Sequence, residues 1–401
     1  MTGRTFRAFE SRDFRLVWFG AWTSSTGTWM QKLAQSWLVL QLSGSPFLLG
    51  LDAFLGEIPI LLFSLVGGVI ADRMDRRKLL IGSQIAQMSC ALLLASLFAL
   101  GVVKVWHILA LSFVVGTAQA FGGPAYQALI PTLVRPGEIQ AAIAWNSIQF
   151  NLARVIGPVL GGLALTKLGA TWCFGLNGLS YFGPIVSLLI LGPRRIPERT
   201  GETMLESMKQ GIRFIRTQPA MVSLIVLAFV MTVLAIPLIV FLPVFARDVF
   251  HQGPSTYTLL LSTSGVGSVV GALLLASVGQ RKRQGALALA TLVALGVFVT
   301  GFSLSTNLVL SCGLLFFGGA ALVATFAMVT SLVQTLATDE MRGRVMSVYN
   351  VFFRGGMPIG SLVTGTLAPA FGAPAVLTAN GVLLALVGLW FIFSRGKLKS
   401  I

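Results

Sequence analysis

The chain has 401 residues, 55% of them hydrophobic and only 10% charged, where a soluble domain carries roughly 25% charged residues. That composition excludes an ordinary soluble globular protein. The net charge of +16 would suit a nucleic-acid binder, but the basic residues gather on alternate loops between long apolar stretches, which is a membrane topology signal.

Apolar stretches of about 20 residues, long enough at about 1.5 Å per residue to cross a hydrocarbon core, recur along the chain. Backbone polar groups find no water in lipid, so these stretches are helices and the fold class is all-α. The predicted spans are 14–40, 47–70, 79–100, 105–130, 139–166, 171–191, 220–246, 256–278, 286–304, 308–337, 344–370 and 374–393, twelve in all. Residues 1–191 form an N-terminal six-helix bundle, 192–219 a linker and 220–401 a C-terminal six-helix bundle. With both termini cytoplasmic, only Lys104, Lys167 and Arg247 lie outside, and Lys32, Arg154 and Arg354 lie within spans; every other basic residue is inside. This orientation fits a multi-pass protein of a bacterial-type inner membrane, with anionic lipid as a partner and no nucleic acid. The first span is long and no small-residue cleavage site follows it, so it is expected to stay as an anchor. Cys90, Cys173 and Cys312 fall inside spans and His107 and His251 stand singly near span ends, so no disulfide, metal or cofactor is expected.

Span 1 carries a polar stripe at helical spacing, Ser24, Thr28, Gln31 and Gln35, together with Lys32; span 2 carries Asp52 and Glu57. A charge at mid-bilayer costs about 2.5–3.5 kcal/mol, so Lys32, Asp52, Glu57, Arg154 and Arg354 are proton-coupling candidates. Lys32 and Asp52 lie at similar depth and can pair. Glu57 is deeper, where desolvation opposes its charge and Lys32 or Arg154 would favour it, so its proton can follow cavity hydration. A static ion pair holding helices 1, 2 and 5 together remains the alternative.

Between spans 2 and 3, "GVIADRMDRRKLL" (68–80) compresses a knot of charge into a short loop. It resembles the loop signature of the major facilitator superfamily, with Gly68, Ala71, Asp72, Arg73, Arg76 and Arg77 at matching positions. Asp75 stands where many members have glycine, as in the branch of enterobactin-exporter-like and macrolide-efflux-like proteins, which the N-terminal "FRLVWFGAWTSSTGTWMQKLAQSWLVLQLSGSP" also resembles. Gly68, Asp72, Arg73, Arg76 and Arg77 are therefore expected to form a cytoplasmic gate: Asp72, at a helix end, can pair with Arg76 and accept from the free N–H groups that open a neighbouring helix. Its expected receiver is the start of span 11, near Asp339, Glu340, Arg342 and Arg344. The corresponding stretch of the other half, Arg281, Lys282 and Arg283, keeps the basic residues without the aspartate. A loop that only sets topology is the competing reading.

Span 4 carries Ser112, Gly116, Gln119, Gly123 and Gln127 at helical spacing, a face expected to line water with that of span 1. It lacks the superfamily's arginine-centred fourth-helix motif. In span 5, "RVIGPVLGG" (154–162) resembles the Gly-Pro element of the superfamily's drug:proton antiporters, with Ala153 where a further glycine is expected. Gly157, Pro158, Gly161 and Gly162 are helix-packing residues, small enough for close approach and, at the proline, bent. In the linker, Leu205, Met208, Ile212 and Ile215 take one helical face and Lys209, Arg213 and Arg216 another, as in a short surface helix. "GVGSVVG" (265–271) has neither the preceding strand nor the following acid of a dinucleotide loop and marks helix contact instead. Phe229, Phe241, Phe317, Phe326 and Met328 of spans 7 and 10 oppose the polar stripes with an aromatic, Met-containing wall. Thr28, Gln31, Gln35, Gln119, Asn146, Asn151, Asn350 and Phe317 are the substrate-cavity candidates; packing alone would explain most aromatics.

At a shift of 203, Gly50, Gly68, Gly82, Gly116, Gly157, Gly162, Gly169 and Gly178 land on glycines, eight matches where random placement gives about two. Parallel six-helix repeats with a cavity near the midplane are transporter architecture. The expected function is alternating-access export of an amphipathic small molecule by a monomer. Proton antiport is the expected energy source, since no nucleotide site is present to use ATP. A lipid or lysolipid translocase and a non-transporting sensor are the alternatives; without a Ser-His-Asp arrangement, enzyme activity is not expected.

Overall fold

The computed structural model describes residues 6–192, 204–278 and 284–394, without the side chains of Leu65, Val69, Ala71, Asp72, Arg73, Met204, Leu205, Val278 and Ser394. Among the described residues there is no strand. A short 3-10 helix, Phe6–Glu10, precedes α1 (Arg12–Ser43), α2 (Pro46–Arg73), α3 (Arg76–Ala99), α4 (Val105–Leu129), α5 (Ile139–Lys167), α6 (Ala170–Ser180), α7 (Phe182–Ile190) and α8 (Met204–Thr217). There follow α9 (Pro219–Val244), α10 (Pro254–Val278), α11 (Gln284–Leu304), α12 (Leu308–Leu336), α13 (Asp339–Phe371) and α14 (Ala373–Ser394). Each of the twelve predicted spans falls on helix, and among the described residues ten segments have the length and apolarity to cross a membrane. The two long helices outside that set are α1 and α13, of 32 and 33 residues, which hold Lys32 and Arg354.

The helix ends follow local chemistry. Asp75 caps α3, its carboxylate accepting the Arg77 backbone N–H at 2.9 Å, and Asn307 caps α12 by accepting from Val309 and Leu310. At the end of α5, Gly169 turns left-handed (φ 87°) and returns its N–H to the Ala164 carbonyl; Gly372, its mate in the repeat, ends α13 at φ 82°. The sixth predicted span is split at Tyr181. Pro184 has no N–H for the Ser180 carbonyl, one turn back, and the Thr23 hydroxyl of α1 donates to that oxygen instead at 3.1 Å.

The helices group into two compact units: Met1–Ser43 with Leu55–Thr200, and Gly44–Phe54 with Gly201–Ile401. The first turns of α2 thus cluster with the second unit, where the sequence places the boundary in the linker. Inside the first unit α1 packs on α5, α3 on α4 and α3 on α6; inside the second α9 packs on α13, α11 on α12 and α11 on α14. The same pairings recur six spans on, so the two units are pseudo-symmetric helical bundles.

Glycine sets the closest approaches. A Cβ on Gly157 would lie 2.5 Å from Trp29 Cβ and 2.9 Å from the Thr26 carbonyl oxygen, and one on Gly161 would lie 2.7 Å from that of Met30. Gly356 meets Phe229 and Thr232 in the same way, and Gly360 meets Val233. The glycine register pairs Gly157 with Gly360, whereas packing pairs it with Gly356, one helical turn away. In the linker, α8 lays its buried Gly211 and Ile215 toward protein, with Gly211 against the Arg344 carbonyl of α13, and leaves Lys209, Arg213 and Arg216 exposed. Of the predicted apolar face Ile215 is buried and Met208 and Ile212 are half-buried, while the side chain of Leu205 lies outside the described residues; the predicted basic face is exposed. Residues 193–203 and the basic stretch 281–283 lie outside the described residues.

Candidate transport site

Two mid-helix cations of the first unit, Lys32 and Arg154, converge on one indole. Lys32 Nζ lies 3.6 Å from Glu57 Oε1 and 5.3 Å from the centre of the Trp29 ring. The Arg154 guanidinium sits over the same ring at 5.7 Å, and Phe150 meets it edge-on at 6.1 Å between centroids. Trp29 and Lys32 share a face of α1 because they are three residues apart, and Phe150 and Arg154 share a face of α5 at four. Gly157, one turn beyond Arg154, lets α5 come close enough for that contact.

Lys32 and Glu57 are each eleven residues from the turn that joins α1 to α2, about 16 Å along the helix axes, and Arg154 is thirteen residues from the end of α5, about 20 Å. This is mid-depth. The Lys32 side chain is nevertheless 53% exposed and that of Glu57 29%. Lipid against such groups would be costly, so the exposed side of this cluster is one that meets water. Arg154 makes no ion pair among the described residues, which leaves this site with two cations and one carboxylate.

The acid that reaches Lys32 is therefore Glu57, and not Asp52 as equal depth suggested. Asp52 is buried, at 7% exposure, in the segment that belongs to the second unit. Arg354 is exposed on α13 and makes no ion pair among the described residues.

Behind the charged cluster the two predicted polar stripes meet in an uncharged network. Gln35 donates to Ser112 at 2.8 Å, Gln31 donates to Gln35 at 3.3 Å, and Asn177 donates to Gln31 at 2.6 Å. Thr28 and the Tyr181 hydroxyl share a hydrogen bond at 3.1 Å, Tyr181 donates to Gln87 at 3.3 Å, and Gln119 donates to the same Gln87 oxygen at 3.1 Å. Four predicted cavity residues are thus engaged in two hydrogen-bonded groups: Gln31 and Gln35 bond each other, while Thr28 and Gln119 are linked through Tyr181 and Gln87. Sequence reasoning missed Gln87, Asn177 and Tyr181, all buried, on α3, α6 and the α6–α7 break. The signal for Gln87 was available: it stands four residues after Ser83, whose hydroxyl it donates to at 3.2 Å.

The other candidates lie apart from this network. Asn146 accepts from the Tyr126 hydroxyl at 2.7 Å, joining α4 to α5. Asn151 is exposed and donates to the Ser147 carbonyl of its own helix, and Asn350 is exposed on α13. Phe317 is 56% exposed, stacked on Phe298 of α11 at 5.8 Å and edge-on to Phe316 in the second unit. Elsewhere in that unit the buried Tyr349 bonds Thr330 at 2.9 Å and stacks at 6.0 Å on the half-buried Phe353, which lies 4.5 Å from the half-buried Phe326.

The knot at 68–77 ties helix ends within the first unit. Arg76 donates to the Ala128 carbonyl in the last turn of α4 at 3.0 Å, and Arg77 to the Leu189 carbonyl in the last turn of α7 at 3.1 Å. Cations on the negative ends of two helices are favourable there. The gate side chains Asp72 and Arg73 lie outside the described residues, and Gly68 is half-buried on α2.

A family model described as transmembrane secretion effector matches residues 4–400. The chain belongs to that family, within the major facilitator superfamily. Among curated proteins it is 27% identical over 394 residues to the multidrug efflux pump Tap of Mycolicibacterium fortuitum, covering 94% of each chain. It is also 27% identical to the enterobactin exporter EntS of Citrobacter koseri, covering 96% of this chain and 92% of that one. Among solved structures, a bacterial homologue of the human lysosomal transporter Spinster shares the fold, with a TM-score of 0.74 over 95% of this chain and 96% of that one, at 15% identity. The chain is a multi-pass membrane transporter of an efflux family.

Proposed function

We propose that this protein exports an amphipathic, drug- or siderophore-like small molecule by alternating access, as a lipid-embedded monomer with cytoplasmic termini, and exchanges protons at the Lys32–Glu57 pair. Transport, rather than catalysis, is its activity. The direction and solute class draw support from the relatives that are named as exporters. The proton step is supported by the half-exposed ion pair at mid-depth. A proton on Glu57 removes the charge that holds Lys32, so the pair opens; loss of that proton closes it. Water reaching the pair from one side at a time would make this opening and closing vectorial.

The test uses the purified full chain in proteoliposomes with an imposed pH gradient and a panel of fluorescent amphiphiles. Solute-dependent proton movement across the membrane is expected. Labelled lipid moved without any gradient would replace the proposal with a lipid translocase, and saturable binding without flux would make the protein a sensor.

A further inference from the structure

Within the export reading, the geometry points to the charge of the solute: we infer that the first unit binds an organic anion carrying an aromatic or flat apolar body, with Arg154 as the residue that seats its negative group. Lys32 has its carboxylate at 3.6 Å, while Arg154 has only the Trp29 ring as a counterpart and makes no ion pair among the described residues. A guanidinium at mid-depth is costly unless it is paired or faces water. An indole face offsets part of that cost and leaves the fork of N–H donors free for a carboxylate or phenolate, which it can take in bidentate fashion.

The surroundings fit the rest of such a molecule. Phe150 is 51% exposed beside Trp29, so an apolar ring can lie against the two aromatics while its anionic group reaches Arg154. A cationic amphiphile would meet the opposite situation, since two cations stand against the single carboxylate of Glu57, and that carboxylate is already engaged. The uncharged network of Gln31, Gln35, Asn177 and Gln87 adds no negative charge that would reverse this balance.

The proton and the solute then use different groups. Exchange of solute for proton therefore requires the Lys32–Glu57 pair to be closed while the solute is bound, and to open after the solute has left.

The inference is tested with three isosteric probes that differ only in charge: 2-naphthoate, 2-naphthalenemethanol and 2-naphthylmethylammonium. Their affinity for the full chain in nanodiscs is read by tryptophan fluorescence and by thermal shift. At least a tenfold preference for naphthoate over the other two is expected, weakening as salt rises. Arg154→Gln should remove that preference by lowering naphthoate affinity about tenfold while the alcohol is unaffected, and Arg154→Lys should restore part of it. If Arg154→Gln fails to fold, the ranking of the three probes on the unaltered chain still decides. Equal or stronger binding of the alcohol or the ammonium, or no saturable binding of naphthoate at millimolar concentration, would overturn the anion assignment and leave export standing. Charge-selective binding of naphthoate without movement across proteoliposomes would do the reverse.

Discussion

The two units share helix pairings and packing glycines but differ in what they place inside. In the first, Gly157 lies against Thr26 and Trp29, and Arg154 stands three residues before it; in the second, Gly356 lies against Phe229 and Thr232, and the residue three before it is Phe353. At the 203-residue shift Lys32 falls on Ala235 and Glu57 on Leu260, both buried. Thr232, in the place of Trp29, spends its hydroxyl on the Phe229 carbonyl of its own helix at 2.9 Å. One scaffold has thus been filled once with charge and amides and once with aromatics and aliphatics. The duplicated packing carries the architecture, and the half that departs from it is where the proposed proton and solute groups lie.

Substitutions can break that contrast to different extents. The largest effect is expected from converting the first unit to the second's residues: Lys32→Ala with Glu57→Leu should abolish solute-dependent proton flux, while thermal unfolding in detergent changes little because the lost pair is half-exposed. Retained flux in that variant would remove the pair from the mechanism. Next comes packing. Gly161→Ala drives a Cβ against the Met30 carbonyl, which side-chain rotation cannot relieve, and should cost about 1–3 kcal/mol in unfolding measurements. Gly157→Ala should cost a similar amount and also disturb Trp29, so its naphthoate affinity should fall, whereas Gly356→Ala in the second unit should destabilise without altering that affinity.

A smaller difference is expected for hydrogen bonds. Asn177→Leu strips Gln31 of an interhelical donor and should cost about 1–2 kcal/mol, while Thr232→Val, which removes only a bond within one helix, should stay within about 0.5 kcal/mol. Equal losses would mean that the amide network contributes nothing beyond ordinary packing. At the small end, Asp75→Ala removes the α3 cap for about 1 kcal/mol.

Much of this was readable in the sequence, and the misses have physical causes. Helix positions follow from unbroken apolar runs, and the polar stripes of α1 and α4 follow from a period of 3.6 residues. A stripe, however, reports one helix at a time. It says that Gln31 and Gln35 share a face, and it does not say that Asn177 and Gln87, on other helices, complete their bonds. Depth along a helix likewise allowed Lys32 to meet Asp52 or Glu57, and the choice depended on how α2 is divided between the units. Asp75 could have been read better: set against the loop pattern it is a missing glycine, but its position just before a helical run is that of an N-cap.

Proton exchange is assigned to the charged half of the duplication. Solute-dependent proton flux, compared in proteoliposomes for Glu57→Gln and Arg354→Gln, tests it most directly. The expected result is complete loss in the first and flux close to that of the unaltered protein in the second. Flux that survives Glu57→Gln, or that is lost only in Arg354→Gln, would contradict it.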